Sequence, residues 1–453
     1  MTEPSTRALL AETARRAADY LDGLEHRKVF PDQQDVQDLR EFLDAPLAHH
    51  GMGAEQVLAQ LDEFATPATV ASAGGRYFGF VTGGALPASL AANWLAGAWD
   101  QNAFSMVSSP AVALIEAAAL RWLKELLLIP AAAEGALTSG ATMANFTCLA
   151  AARHRVLARA GWDVEADGLF GAPPIHVLVG AEVHGSVLKV LALLGLGRAG
   201  AVRVPVDDQG RMQAAELPVL KGPAIVCLQA GNVNSGAFDP APEIIAWARD
   251  CGAWVHVDGA FGLWAGAVPG LAHWVSGCEQ ADSWATDAHK WLNVPYDCGI
   301  ALVRDPANLH GAMSTTGAYL SRGDAERAAL DLTPEASRRA RAVDVWAALK
   351  FLGREGLAEM IQRHCRQAAW LAGELDAAGV GILNEVVLNQ VLAAFGDDAS
   401  TEAVIRKLQD AGVCWCGGTT WQGRKAMRIS ISSWATSDQD LQRAYDAIIS
   451  AAQ

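Results

Sequence analysis

The sequence predicts an α/β fold in which a mostly parallel β-sheet, covered by helices on both faces, is joined to a smaller mixed α+β domain. Three observations predict it. From about Leu137, short apolar runs such as "IHVLVG", "AIVCLQ" and "AWVHVD" alternate with helical segments, and strands apolar on both faces belong to parallel sheets buried under two helical layers. From about Arg338 a long helix is followed by short alternating stretches and a last helix, the profile of a separate small domain. A chain of 453 residues, 51% of them apolar, also exceeds one ordinary hydrophobic core. These boundaries give an N-terminal helical arm over 1–75, a large ligand-binding domain over 76–340 and a small C-terminal domain over 341–453.

From Ser5 to about Phe64 apolar residues recur at three- and four-residue spacings (Leu10, Ala14, Ala17, Leu21), which predicts amphipathic helices. They are interrupted at "FPDQQD", where Pro31 and Asp32 read as a helix start. The glycine-dense "SAGGRYFGFVTGGALP" predicts a loop, and helical periodicity returns from Pro87 to Leu128. In the large domain, "IHVLVGAEVHGSVLKVLALLGLG" reads as strand, loop and helix, and "VRVPVDD" and "AIVCLQAGNVNSGAF" as strands. "EIIAWARDCG" reads as a helix, and "AWVHVDGAFG" and "ADSWATD" as further strands. In the small domain, "GILNEVVLNQVLAAF", "GVCWCGG" and "AMRISISSW" supply the alternating stretches.

Composition narrows the partners. A formal charge of -15 argues against nucleic acid and against anionic membranes, both of which recruit Lys and Arg. Small molecules and copies of the chain itself remain. The closest pair among the eight cysteines is Cys414 and Cys416, with no second pair at zinc-ligand spacing, so no metal site is expected. Scattered thiols of this kind predict a reduced, cytoplasmic protein. The N-terminus lacks a continuous apolar segment of the secretory kind, and no apolar run approaches the roughly twenty residues that span a bilayer.

In doubly wound sheets ligands sit beyond the carboxyl ends of the strands, and four strand ends carry chemistry. "LTSGATMANFTCLAAAR" puts Ser139, Gly140, Ala141 and Thr142 at a helix start, which reads as an ordinary capped helix or as an anion seat of bare N–H groups. "VGAEVHGSVLKV" puts His184 at the next rim, as a satisfied loop residue or as an imidazole able to stack on a ligand or carry a proton. "AWVHVDGAFGLW" ends an apolar strand on Asp258, a carboxylate that needs a cationic or hydrogen-bonding partner or else rises in pKa. His256, two residues earlier on the same face, reads as a structural pairing. "ATDAHKWLNV" places Lys290 among apolar residues, either snorkelling or used covalently as an imine. Together, an imine-forming lysine, a strand-end aspartate, a stacking histidine and a phosphate-holding helix start specify a phosphorylated pyridine aldehyde, pyridoxal phosphate.

At "HVDGAFG" and "TDAHKWLNVPYDCG" the chain resembles the group II pyridoxal-phosphate-dependent amino-acid decarboxylases, the family of the aromatic-amino-acid, glutamate and diaminobutyrate enzymes. The resemblance runs from about Gly74 to the C-terminus. It implies the fold type I architecture of the aspartate-aminotransferase kind: a mostly parallel seven-stranded sheet, a small α+β domain, and a homodimer with active sites at the interface. It assigns Lys290 to covalent attachment of the cofactor, Asp258 to the ring nitrogen, His184 and Ala260 to the two ring faces, and Ala141 and Thr142 to the phosphate. It also places His289 near the phosphate, Asn232 near the ring and Ser337 near the partner's phosphate. Tyr319, in "MSTTGAYLSRGD", is the nearest counterpart of the family's mobile-loop tyrosine, although the following segment is short and holds no tyrosine. Arg428, in "AMRISISSW", matches the arginine that glutamate enzymes set near the substrate carboxylate, and otherwise reads as a small-domain salt bridge.

Phe80 and Phe104 remain from an aromatic pocket lining, while Asp100, Gln101 and Asn102 make its surroundings more polar. The implied reaction is decarboxylation of an aromatic or medium-sized polar L-amino acid to the amine and carbon dioxide, with Lys290, His184, Tyr319 and Asp258 as the catalytic set. Two other readings stand beside it: a carbon–carbon lyase or aldehyde synthase on the same fold, and a non-catalytic cofactor-binding protein. Asp287 replaces the asparagine of the aromatic enzymes' "NPHK", which alters the expected phosphate contacts.

Overall fold

The computed structural model describes residues 5–314 and 328–453. They form two compact units, one of Met1–Thr82, Leu371–Ile382 and Ala393–Gln453, the other of Gly83–Trp370 and Leu383–Leu392. The chain opens with α1 (Thr6–Gly23), α2 (Gln33–Leu43) and α3 (Ala54–Gln60). Ser5 starts α1 by accepting the Ala8 N–H at 3.3 Å, as a capping hydroxyl does. These helices belong to the first unit.

The second unit begins with α4 (Pro87–Trp99) and α5 (Pro110–Leu126), where sequence periodicity predicted one continuous helical stretch. The break has local causes. Asp100 ends α4 in the left-handed region at φ 48°, which short polar side chains tolerate, and Pro110 opens α5 with the φ a first helical turn requires. There follow β1 (Glu134–Thr138), α6 (Ala141–Arg159), α7 (Val164–Asp167), β2 (His176–Gly180), α8 (Gly185–Leu193), β3 (Val202–Val204), β4 (Ala224–Gln229), α9 (Ala241–Cys251), β5 (Trp254–Asp258), β6 (Ser283–Asp287), β7 (Gly299–Val303) and α10 (Pro306–Met313).

The seven strands lie in the order β1-β7-β6-β5-β4-β2-β3. Pairs β2–β3, β2–β4, β4–β5 and β5–β6 are parallel, and β7 runs antiparallel to both β6 and β1. This is the mostly parallel seven-stranded sheet of the fold type I class. Every residue of β4, β5, β6 and β7 is buried, as a sheet covered on both faces requires. Helix α6 approaches the sheet through small side chains, with Ala144, Cys148, Ala151 and Ala152 fully buried. The Cys148 thiol donates to the Trp284 and Leu302 carbonyls, and burial pushes it up to about 12, so it packs rather than reacts.

Two braces hold the sheet's carboxyl edge. An added Cβ on Gly83 would come within 1.8 Å of the Lys290 carbonyl oxygen, and the Leu86 N–H donates to the Asn293 carbonyl at 2.8 Å, so the "TGGALP" loop lies directly against the lysine loop. The second brace is the ion pair of Glu116 on α5 and Arg338, with side chains 2% and 1% exposed. Arg338 also donates to the carbonyls of Ala103 (2.7 Å) and Leu137 (2.6 Å), and Glu116 accepts the Leu137 N–H (3.2 Å). The pair thus ties the α4–α5 linker to the end of β1.

The remaining elements are α11 (Arg341–Ala377), kinked at Gly353, and then β8 (Gly381–Ile382), β9 (Gln390–Ala394), α12 (Asp398–Ala411), β10 (Gly417–Trp421), β11 (Arg424–Ser430) and α13 (Asp438–Ala452). Their strands make a second sheet in the order β10-β11-β9-β8. In "GVCWCGG" only Gly417 and Gly418 are strand; Trp415 forms an isolated bridge with Tyr77. Within the first unit the Arg76 guanidinium donates to the carbonyls of Leu24, Glu25, Arg27 and Val413. Among the described residues no helix is long and apolar enough to cross a membrane.

Removing one half of the Glu116–Arg338 pair strands a buried charge. Arg338→Met should therefore lower the unfolding free energy by about 3–5 kcal/mol, read from the urea midpoint, and Glu116→Gln added to it should recover part of that loss.

Candidate active site

Four strand ends converge on one edge of the large sheet. Beyond β1, Gly140 precedes α6 with φ 155° and ψ 175°, and a Cβ there would meet the His289 ring at 3.3 Å. The absence of that carbon leaves a bare cradle at the first N–H groups of α6, which have no intrahelical acceptor. A carboxylate uses one of them: the Ala141 N–H donates to Asp287 Oδ1 at 2.6 Å. Thr142 follows, half-buried.

Asp287 ends β6 and is 3% exposed through its side chain. Its second oxygen faces Lys290 Nζ at 3.2 Å and His289 Nε2 at 3.6 Å. One carboxylate therefore neutralises the helix end and the lysine together. Burial pulls the His289 imidazole down from its usual pKa, against the attraction of Asp287. Its Nδ1 accepts the Cys298 N–H at 3.1 Å, and its ring packs at a tilt of 31° against Tyr296 with centroids 4.5 Å apart. The loop after β6 is fastened from behind, since the buried Trp264 indole donates to the Asp287 carbonyl and the Asp287 N–H donates to Ala260.

Asp258 ends β5 and is 6% exposed. Burial pushes its carboxyl above the usual range, while the charges of His184 and Lys290 and the amide of Asn145 pull it back. Asn145 donates to it at 3.3 Å. His184 caps α8, its Nδ1 accepting the Ser186 N–H at 3.2 Å, and it is exposed at the rim. Asn232 is buried and makes a turn: its carbonyl oxygen accepts the N–H groups of Asn234 and Ser235, and its amide donates to the Glu182 carbonyl. Those bonds make Asn232 a shaper of the rim beside His184.

The structure thus brings together Ala141, Thr142, His184, Asn232, Asp258, Ala260, His289 and Lys290. Phe104, half-buried, and Ser337, exposed, lie in the same unit beside the Glu116–Arg338 pair. Phe80 and Arg428 belong to the other unit. There Phe80 is 63% exposed and stacks on Trp415 at 5.4 Å, while Arg428 sits on β11, its pKa lowered by burial against the influence of Tyr77. Tyr319 lies outside the described residues. Sequence reasoning passed over Asn145 and Trp264. Asn145 could have been noticed as an amide on the otherwise apolar buried face of α6, whereas nothing local to Trp264 announces its partner.

Comparison with known proteins agrees with this chemistry. The family described as the pyridoxal-dependent decarboxylase conserved domain matches residues 37–392. The chain is 31% identical over 386 residues to the L-2,4-diaminobutyrate decarboxylase of Rhizobium meliloti (strain 1021), covering 80% of this chain and 75% of that protein. It is 27% identical over 449 residues to the aromatic-L-amino-acid decarboxylase of Sus scrofa, covering 92% and 90%. In fold it is similar to the crystal structure of Oryza sativa TDC with PLP and tryptamine, with a TM-score of 0.91 at 22% identity over 100% of this chain and 99% of that one. Mouse CSAD gives 0.90 at 22% identity over 99% of each chain.

The residues at this edge fit a phosphorylated pyridine aldehyde: an amine beside a carboxylate, a buried acid on the neighbouring strand, and a glycine-cradled helix start that holds an anion. Because Asp287 is the anion already at that helix start, Asp287→Asn should tighten inorganic phosphate binding to the cofactor-free protein by about tenfold, the effect of roughly 1.4 kcal/mol of relieved repulsion. Equilibrium dialysis measures it.

Proposed function

The chain belongs to the pyridoxal-dependent decarboxylase family, and from that premise we propose that its substrate is an L-amino acid with an aromatic or medium-sized polar side chain. The enzyme is a pyridoxal-phosphate-dependent carboxy-lyase that converts an amino acid to its amine and carbon dioxide. The observation that carries the assignment of roles is the meeting of Lys290, Asp258 and the α6 N-terminus at one sheet edge.

Lys290 would hold the cofactor covalently through its Nζ. Ala141 and Thr142 hold the phosphate at the α6 N-terminus, with His289 beside them. Asp258 would keep a proton on the ring nitrogen of the bound cofactor, and His184, Ala260 and Asn232 would contact the ring. When bound, the pyridine ring supplies an electron sink for the pair left on Cα as the carboxylate departs. Tyr319, or else His184, delivers a proton to Cα and so fixes the product as an amine. For recognition of the substrate the residues to test are Phe80, Phe104 and Arg428.

The enzyme works as a cytoplasmic homodimer in which Ser337 reaches the partner's phosphate, 1–75 forms the arm, 76–340 holds the cofactor and 341–453 forms the small domain. Support for the dimer comes from the exposed apolar side chains Trp94, Leu95 and Trp99 on α4 and Leu114 on α5, which are 43–62% exposed. Eight free cysteines support a reducing compartment.

Carbon dioxide release from a panel of L-amino acids tests the substrate. Release from aromatic or medium-sized polar members, with the amine as product, is expected; release only from small aliphatic ones rejects the proposal. Lys290→Ala should abolish the visible absorption of the attached cofactor and its fixation by borohydride, while Asp258→Asn keeps attachment and lowers kcat by about 10²–10³. Tyr319→Phe should divert product from amine to aldehyde; an unchanged amine yield assigns the proton to another group.

A further inference from the structure

Strand β5 shows the same face at every second residue, so Trp254, His256 and Asp258 point to one side. Next to them stand Ser283, paired with His256 in the β5–β6 register, and Asn145 on α6. These five groups form a continuous line. The Trp254 indole nitrogen lies 2.9 Å from Ser283 Oγ, which lies 2.9 Å from His256 Nδ1. His256 Nε2 lies 2.8 Å from Asn145 Oδ1, and Asn145 Nδ2 lies 3.3 Å from Asp258 Oδ2. Trp254 is 5% exposed, Asp258 6%, and His256, Ser283 and Asn145 are all 0%.

The chemistry of these groups gives the line a direction. An ionised Asp258 only accepts, so the Asn145 amide turns its NH₂ toward it and its carbonyl toward His256. His256 must then carry its proton on Nε2. A neutral imidazole has one N–H, and burial holds His256 neutral by pulling its pKa down to about 3. Nδ1 is therefore an acceptor and takes the Ser283 hydroxyl proton, which leaves the Ser283 oxygen to accept the Trp254 N–H. Each bond fixes the next.

We propose that Trp254, Ser283, His256 and Asn145 form a one-way hydrogen-bond chain ending on Asp258, in which His256 and Asn145 are positioning residues that keep its carboxylate ionised and aimed at the ring nitrogen. The second half of this statement rests on the role given above to Asp258. The chain opposes two influences that favour a neutral carboxyl, burial and the nearby Asp287, and it acts alongside the charges of His184 and Lys290. Directional chains of this kind hold each member's dipole in one sense. Without His256, the Asn145 amide could rotate and offer its carbonyl to Asp258, which would then have to hold a proton itself.

The first experiment uses the cofactor-free parent protein: long-range ¹H–¹⁵N correlation of the histidine rings, with the His256 signal identified by its loss in His256→Gln. The chain requires a neutral Nε2–H tautomer that persists from about pH 5 to pH 9. An Nδ1–H tautomer overturns it. The second uses holoenzyme carrying cofactor labelled with ¹⁵N in the ring. A protonated ring nitrogen in the parent that loses its proton in Asn145→Leu and His256→Phe, with kcat down about ten- to a hundredfold at constant KM and partial rescue in His256→Gln, supports the positioning role. An unchanged ring nitrogen in those variants overturns that role. An unprotonated ring nitrogen in the parent, with the Nε2–H tautomer present, overturns the assignment of Asp258 and with it the positioning role, and leaves the direction of the chain standing.

Discussion

The structure turns on one electrostatic constraint: Asp258 and Asp287 are buried beside the half-buried Lys290 at the same edge of the sheet. An isolated buried charge is costly, and each of these is tolerable because of what faces it. Asp287 meets both the lysine and the N-terminus of α6. Among the described residues Asp258 has no such direct ion pair and leans on the Asn145 amide and on more distant positive charge. That difference matches their stations, since the carboxylate left with unmet demand stands where a cationic ring nitrogen would complete it.

Helix α6 is the element through which this constraint is met. Its first turn offers bare N–H groups, its second turn supplies Asn145, and its alanine-rich buried face lets the backbone come close enough to β5 and β6 for both to matter. A bulkier face would lift the helix from the sheet and break the Asn145 contacts, which span only about one side chain's reach. One helix thus addresses two ends of a ligand about the size of a phosphorylated pyridine. The lysine is positioned from the other side, by the glycine loop against its carbonyl.

The Glu116–Arg338 pair extends the same logic away from the chemistry. It binds the linker between α4 and α5 to the end of β1, immediately before the turn at Gly140. A buried ion pair adds little net stability over apolar packing, but it penalises alternative arrangements heavily, because any of them leaves a charge unpaired. Accuracy at β1 is what the cradle at Gly140 requires.

The sequence by itself determined the class of fold and the places to look. Apolar runs separated by helices imply a covered parallel sheet, and strand ends then select Ala141, His184, Asp258 and Lys290, because strand and helix periods are local properties of the chain. Motif spacing also singled out Lys290 and its neighbour His289. The pairing of those residues was decided by tertiary structure alone. Asp287 read as a changed phosphate contact, whereas folding makes it the carboxylate shared by a lysine three residues on and a helix 146 residues back. The turn that Asn232 makes with Asn234 and Ser235 likewise appears only in the folded chain. His256 read as a structural pairing, and only the register of β5 with β6 and the depth of α6 join it through Asn145 to Asp258. Local sequence encodes what each residue can offer; hydrogen bonds and ion pairs depend on ångström distances between segments remote in the chain, and those distances exist only once the core has packed.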